Sequence, residues 1–383
     1  MKDKRLKILF LPSWYPSEDS PVNGIFIKEH AKAVALYDEV VVLYTAGGDE
    51  NRGKFYQKIT DEMEEGIRTI RIKYRKSPIP KTTYFIYLWS ITQAFRKLLN
   101  EKWKPDIIHA HVFTAGVPAV ILGKLYKIPI VITEHWSGFP LRKLTLSCRI
   151  KARFSMCRAQ VILTGSNQLR NAVRNYGIKN RFKVVPNVVN LEIFFPVLQQ
   201  NKSDKKRILL VALLSHVKGI PYLLEAISQL RRKRDNFVLD IVGNGPNRIE
   251  YEELSKNLGL ADIVKFHGLK TKSESAKFMR RSSFFVQPSL CETFNVVCIE
   301  AMACGKPIIA TQLSVFQEKI TKDIGILVPP KDTDALVKAI DYMLDHYQDY
   351  SSKNISQYAK DNFSYEVVGQ QIDNIYREIL NYA

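Results

Sequence analysis

No CxxC pair occurs anywhere in the chain, and the five cysteines (Cys148, Cys157, Cys291, Cys298 and Cys304) are odd in number. That pattern argues against a disulfide framework and against a cysteine metal site, and fits reduced thiols. Long apolar runs are missing too. No window approaches the roughly 18 uncharged apolar residues of a membrane span, and the best stretch, Val112 to Leu122, is closed off by Lys124. Near the start only Ile8 to Leu11 is unbroken before Pro12, too short for the core of a secretion signal, so a cytoplasmic protein is expected. Acidic residues are scarce: 38 against 57 bases, a net charge of +19.

The imbalance sits in the first half. Residues 1–193 carry 32 bases and 16 acids, or +16, and the remainder 25 and 22, or +3. From Arg68 to Lys104 ten bases meet one acid, Glu101, and alternate with Tyr74, Tyr84, Phe85, Tyr87, Trp89, Phe95 and Trp103. Leu141 to Arg158 adds six bases and no acid, interleaved with Leu144, Leu146, Ile150 and Phe154. Bases mixed with apolar side chains suit an anionic membrane surface, at about 1 kcal/mol per Lys or Arg. Nucleic acid is the rival partner and a merely solvated basic face the third reading; we take the inner-membrane surface, with no nucleic acid.

A chain of 383 residues with 46% hydrophobic and 25% charged content has the length for two globular domains. Strand and helix signals alternate twice along it. Leu6–Leu11, a loop, a helix opened by Asn23-Gly24-Ile25-Phe26, and Glu39–Tyr44 form a βαβ unit whose crossover carries Gly24. Strands at Asp106–Val112, Ile130–Thr133, Gln160–Leu163 and Phe182–Val185 follow. The first of these ends in His109 and His111, which point the same way, toward the strand edge where ligands of open sheets collect. The strand end Glu134-His135-Trp136 either lines an acceptor pocket or is a plain loop. Leu198–Arg207 is polar enough for a linker. A second alternating run begins at Ile208 and carries Lys218-Gly219, Gly243-Asn244-Gly245-Pro246, and strands near 263–266, 284–286, 307–310 and 325–328. The expected fold is α/β, two Rossmann-like doubly wound domains facing a cleft.

The second run centres on residues 287–307. Phe284-Phe285-Val286 reads as a strand ended by Pro288, and a helix from about Asn295 to Cys304 is stopped by Gly305 and Pro307. Free N–H groups at such a helix start, here at Asn295 and Val296, suit a phosphate. Glu292 lies in the turn, and Glu300 lies in an apolar helix where a carboxylate needs a polar partner. Lys218 supplies an ammonium after a strand end, and Gly243 and Gly245 permit close backbone approach.

The spacing Glu292-x7-Glu300 followed by Ala301-Met302-Ala303-Cys304-Gly305-Lys306-Pro307 resembles the donor site of retaining glycosyltransferases of family 4, which have the GT-B fold. The resemblance covers nearly the whole chain. It implies an acceptor-binding domain at 1–193, a nucleotide-sugar domain at 194–362, and a closing helix at 363–383 that returns to the first domain. It implies Lys218 on the donor diphosphate, Glu300 on the ribose hydroxyls, Glu292 at the donor sugar and His111 beside the transferred sugar. Asn23-Gly24 matches the loop lying against the diphosphate and the acceptor; Glu134 and His135 would line the acceptor side. The implied reaction moves a sugar from a UDP- or GDP-sugar with retention, without cofactor or metal. A saccharide or lipid-linked acceptor in polysaccharide, capsule or lipopolysaccharide assembly is expected.

Two departures stand out. The family's Pro-Asn-Gly-Val-Asp hinge reads Pro186-Asn187-Val188-Val189-Asn190 here. The arginine that shares the phosphates with the lysine is replaced by Leu213, not a conservative change at a bidentate site. His216 is the nearby base that could stand in. Leu213 keeps open a non-catalytic nucleotide-sugar-binding protein, and a GT-B enzyme of another reaction type, a nucleotide-sugar epimerase, is the other alternative.

Overall fold

The structure is a computed structural model describing residues 5–18, 20–48, 57–75, 80–197 and 205–381. The linker expected at Leu198–Arg207 falls, over 198–204, outside the described residues. The chain divides into two compact units, Met1–Val188 with Tyr365–Ala383, and Val189–Ser364. The boundaries expected from sequence, 193/194 and 362/363, lie beside these divisions.

The first unit is built on β1 (Lys7–Pro12), β2 (Glu39–Gly48), β3 (Gln57–Glu64), β4 (Ile67–Arg75), β5 (Ile107–His111), β6 (Ile130–Glu134), β7 (Val161–Thr164) and β8 (Phe182–Val184). They form one sheet in the order β3-β4-β2-β1-β5-β6-β7-β8. All pairs are parallel except β3–β4. The second unit holds β9 (Lys206–Val211), β10 (Phe237–Val242), β11 (Val264–Phe266), β12 (Phe284–Gln287), β13 (Ile308–Thr311) and β14 (Gly325–Val328). Its sheet, ordered β11-β10-β9-β12-β13-β14, is wholly parallel.

Parallel strands covered by helices on both faces read as unbroken apolar runs, and the two-residue repeat then deals alternate side chains to two cores. In the first unit Leu9, Leu11, Val41, Ile108, Ala110 and Ile132 join one core. Ile8, Phe10, Val40, Val42, Ile107 and Val131 join the other. The second unit repeats this, with Ile208, Leu210, Phe284 and Val286 on one side and Leu209, Phe285, Ile308 and Ala310 on the opposite one.

The edge hairpin β3–β4 is absent from the sequence reading. Its turn is Glu65-Gly66, both at positive φ, as a tight two-residue hairpin requires. It alters the account of the basic segment. Ile70 and Ile72 of β4 are fully buried. Arg68 makes a two-pronged pair with Asp61 and also reaches Glu101, Arg71 pairs with Glu64, and Lys97 with Asp61. Part of the expected basic face is therefore neutralised inside the fold. Helix Pro80–Asn100 buries Ile91, Ala94, Phe95 and Leu98 but leaves Phe85 69% and Trp89 49% exposed. Helix Leu146–Met156 likewise leaves Leu146 73% and Ile150 61% exposed among its bases. Among the described residues no helix is long and apolar enough to cross a membrane.

The last helix, Tyr365–Asn381, lies on helix Ile25–Ala35 and contributes Val368, Ile372, Ile375, Tyr376 and Ile379 to the same core as Ile8 and Phe10. The two approach so closely that a Cβ on Gly369 would stand 2.2 Å from Ala33 O. Backbone cannot yield as a side-chain tip can. Gly369→Val should therefore lower stability by about 3 kcal/mol, at the upper end for overpacking, read as a lower midpoint in urea unfolding at unchanged slope.

Candidate functional site

Each unit carries a cluster of the expected residues at the C-terminal edge of its sheet. In the second unit, β9 runs out through Leu213 into the turn His216–Lys218 and then helix Ile220–Arg231. Gly219, at φ 65°, sits so close to Pro288 that a Cβ would lie 2.0 Å from its carbonyl oxygen. Leu290 N donates to Val217 O at 2.7 Å. These contacts fasten the lysine turn to the loop after β12.

Lys218 Nζ donates to Glu292 Oε1 at 2.6 Å. The same oxygen accepts from Ser289 Oγ at 2.8 Å and Asn295 Nδ2 at 2.7 Å. Glu292 is 7% exposed, so a buried carboxylate is held by a cation and two neutral donors, the arrangement that makes its burial tolerable. Asn295 caps helix Val296–Ala303, its Oδ1 accepting from Cys298 N at 2.9 Å. Its backbone is left-handed at φ 67°, a region asparagine enters more readily than most residues. Glu300, one turn on, is buried, and Lys272 Nζ lies 3.8 Å from its Oε1. This lysine is the polar partner that an apolar helix demands, and neither spacing nor composition marked it.

Gly243 and Gly245 earn their place inside the chain. A Cβ on Gly243 would lie 1.9 Å from Ala212 O, and one on Gly245 2.4 Å from Leu214 O, so this loop lies directly on the strand exit that carries Leu213. The Leu213 side chain itself is 62% exposed. His216, the possible substitute for the missing arginine, is exposed, with its Nε2 2.8 Å from Asn247 Nδ2.

In the first unit His109 and His111 stack at 4.3 Å, pointing the same way as expected from their alternation. Their roles separate. His109 is fully engaged, with Nδ1 2.5 Å from Tyr376 Oη and Nε2 2.6 Å from Thr133 Oγ1. His111 meets His135 through Nδ1 at 3.1 Å, and its Nε2 is buried without a hydrogen-bond partner. Val112, immediately after it, has φ 73° and ψ 140°, a strained backbone for a β-branched residue. Gly24 precedes helix Ile25–Ala35, and a Cβ there would meet Trp14 O at 2.3 Å. Asn23 stands beside it in the same turn.

Glu134 is turned inward, against the expectation that it lines an acceptor pocket. It is fully buried, and its oxygens accept from the backbone N–H groups of Phe113, His135 and Trp136. Burial pushes its carboxyl up to about 7. It anchors the turn that presents His135. His30 and Lys319 escaped the sequence reading altogether. His30 joins the histidine cluster from helix Ile25–Ala35, and ring centroids put it 6.0 Å from His111. Lys319 is buried, donates to Phe294 O at 2.5 Å and lies 3.6 Å over the Phe294 ring, bracing the loop between Glu292 and Asn295. Such partners come together only through the fold, and no local signal marks them.

Burial lowers Lys319 and Lys306 to about 8 from an ordinary 10.5. With the folded value depressed, the folded state releases its proton first as pH rises, so stability grows from pH 8 upward. Cys298 and Cys304, pushed up by burial, pull the other way above about pH 9. Between pH 8 and 9 the wild type should gain about 1 kcal/mol more unfolding free energy than Lys319→Met, which lacks one titrating group. Urea unfolding at the two pH values measures this.

Two family models match adjoining parts of the chain: "Glycosyltransferase Family 4" over residues 27–193 and "Glycosyl transferases group 1" over 192–362. An uncharacterised glycosyltransferase of Methanocaldococcus jannaschii is 28% identical over 280 residues, 72% of this chain and 76% of its own. Sucrose-phosphate synthase of Thermosynechococcus elongatus superimposes with a TM-score of 0.79 at 24% identity, over 99% of this chain and all of that one. The Anabaena protein HepE does so with a TM-score of 0.76 at 19% identity, over 98% and 100%. With its two parallel-sheet units and both halves matched, this chain belongs to the family 4 glycosyltransferases of GT-B fold.

Proposed function

We propose that the protein is a retaining hexosyltransferase that takes a sugar from a UDP- or GDP-sugar. The acceptor is a saccharide or lipid-linked saccharide in polysaccharide, capsule or lipopolysaccharide assembly. The observation that carries the reading is the joined loop pair of the second unit, with Lys218 on Glu292 beside the capped helix start at Asn295 and Val296. Leaving-group charge develops on a diphosphate during transfer, and a preset ammonium with oriented N–H groups stabilises such charge. Lys218 takes that role and Gly243 and Gly245 give the nucleotide its backbone floor. Glu300 accepts from the ribose hydroxyls and Glu292 from the donor sugar. His111, with its unpartnered Nε2, meets the transferred sugar, and Gly24, Asn23 and His135 face the acceptor. The HepE structure holds UDP and glucose and the starch synthase IV structure from Arabidopsis holds ADP, which supports a nucleoside diphosphate as leaving group. No step of the reaction needs a metal ion.

Leu213 motivates a second reading, a protein that binds the nucleotide sugar without transferring it. Thermal unfolding with UDP, GDP, ADP and CMP separates the two stages. One ribonucleoside diphosphate at a hundredfold excess over its dissociation constant should stabilise by about 2.7 kcal/mol, and Glu300→Ala should abolish this. No response to any of the four would remove the donor site. Binding without turnover on any acceptor extract would favour the second reading, and release of an altered free sugar from donor alone would favour an epimerase.

The exposed Leu146 and Ile150 on a helix that also carries Arg149, Lys151 and Arg153, together with the exposed Phe85 and Trp89, support attachment to the inner membrane surface. The protein should sediment with vesicles containing phosphatidylglycerol and not with neutral ones. The double variant Leu146→Ser with Ile150→Ser should bind at least about tenfold less, given about 1.5 kcal/mol or more for each apolar side chain buried. Equal behaviour with both vesicle types would leave a solvated basic face.

A further inference from the structure

Three histidines of the first unit converge from separate elements: His30 from helix Ile25–Ala35, His111 from the end of β5 and His135 from the turn after β6. One ring nitrogen from each lies within 4.8 Å of the other two. The His111 and His135 rings are almost parallel, 7° apart, and His30 stands 6.0 and 5.9 Å from them by ring centroid.

The hydrogen bonding has a direction. His30 Nε2 lies 3.1 Å from Pro186 O, and a carbonyl only accepts, so the proton is on Nε2 and Nδ1 keeps a bare lone pair. That Nδ1 is buried with no hydrogen-bond partner, as is His111 Nε2. The orphaned His30 Nδ1 is costly and calls for an explanation, whereas the His111 nitrogen that faces the cluster is Nδ1, opposite His135 Nε2. An outer N–H tied to a backbone carbonyl with a naked inner nitrogen is how proteins orient a metal-binding histidine. His109 lacks this pattern because both of its nitrogens are engaged.

We propose that His30, His111 and His135 form a binding site for one divalent transition-metal ion of the imidazole-favouring kind, zinc foremost, with a water or substrate oxygen as the fourth ligand. Binding needs neutral rings, and burial holds all three below the ordinary histidine value, His30 at about 4, so no proton must be displaced near pH 7. His111 Nδ1 and His135 Nε2, 3.1 Å apart, already have close to the roughly 3.4 Å spacing of two nitrogens on tetrahedral zinc. The third nitrogen, from His30, lies within 4.8 Å of both. On the transfer reading above, an ion here occupies His111 and so restrains the reaction; it is not a Lewis acid for it.

The test is direct binding to the full chain after chelator treatment, at pH 7.5, with Zn2+ and with Co2+ as a coloured probe. One ion per chain is expected, with a cobalt spectrum of nitrogen and oxygen ligation and no thiolate charge transfer. His30→Asn should weaken binding by at least about tenfold, the smallest loss seen on disturbing even the outer partners of such ligands. His135→Ala, in the turn after β6 rather than in a helix or strand, should do the same and decides the matter if the helix substitution impairs folding. Absence of binding, a thiolate spectrum, or unchanged affinity in the His135 variant would overturn the site. No nucleotide or sugar enters this assay, so its failure would leave the transferase reading untouched.

Discussion

The second unit depends on one buried carboxylate. Glu292 accepts from Lys218, Ser289 and Asn295 on a single oxygen, and each donor belongs to a different part of the local structure. Lys218 arrives from the turn after β9, Ser289 from the strand exit of β12, and Asn295 is the cap of helix Val296–Ala303. Removing a donor would leave the buried carboxylate less well compensated, so the three are held in register around Glu292. Around this point the backbone is pressed together, Gly219 on Pro288 and Gly243 on Ala212, with no room for a side chain between. Lys319 braces the same loop from beneath.

The first unit answers with a different chemistry. Its strand edge gathers imidazoles whose protonation burial disfavours. Glu134 is consumed by three backbone N–H groups, and in being so consumed it sets the turn that places His135 against His111. Strain at Val112 follows directly after His111. A residue held in a sparsely populated conformation persists only where the surroundings enforce it, here through Val112 N on Thr133 O and the helix Phe113–Tyr126 that begins at once. Each unit thus builds a polar cluster at a sheet edge, one from imidazoles and one from a paired cation.

The basic character of the first unit has two components that the sequence cannot separate. Arg68, Arg71 and Lys97 are spent on Asp61, Glu64 and Glu101 and serve the edge hairpin. The bases of helix Leu146–Met156 keep company with exposed Leu146 and Ile150. A charge count adds the two groups together, whereas the first is neutralised by acids of the same unit.

What the sequence determined by itself is everything that rests on local pattern: two alternating strand–helix runs, their apolar strands, the helix start at Asn295, and the Glu292–Glu300 spacing with Lys218 and His111. These signals survive because parallel strands buried on both faces and capped helices write themselves into neighbouring residues. Only the tertiary structure decided the partners. It joined Lys272 to Glu300, Lys319 to Phe294 and His30 to His111 and His135, turned Glu134 inward, and made a hairpin of residues 57–75. The reason is physical. Hydrogen bonds and ion pairs between residues far apart in sequence depend on where β-strands stop and how closely backbones approach, and no composition or period records those distances.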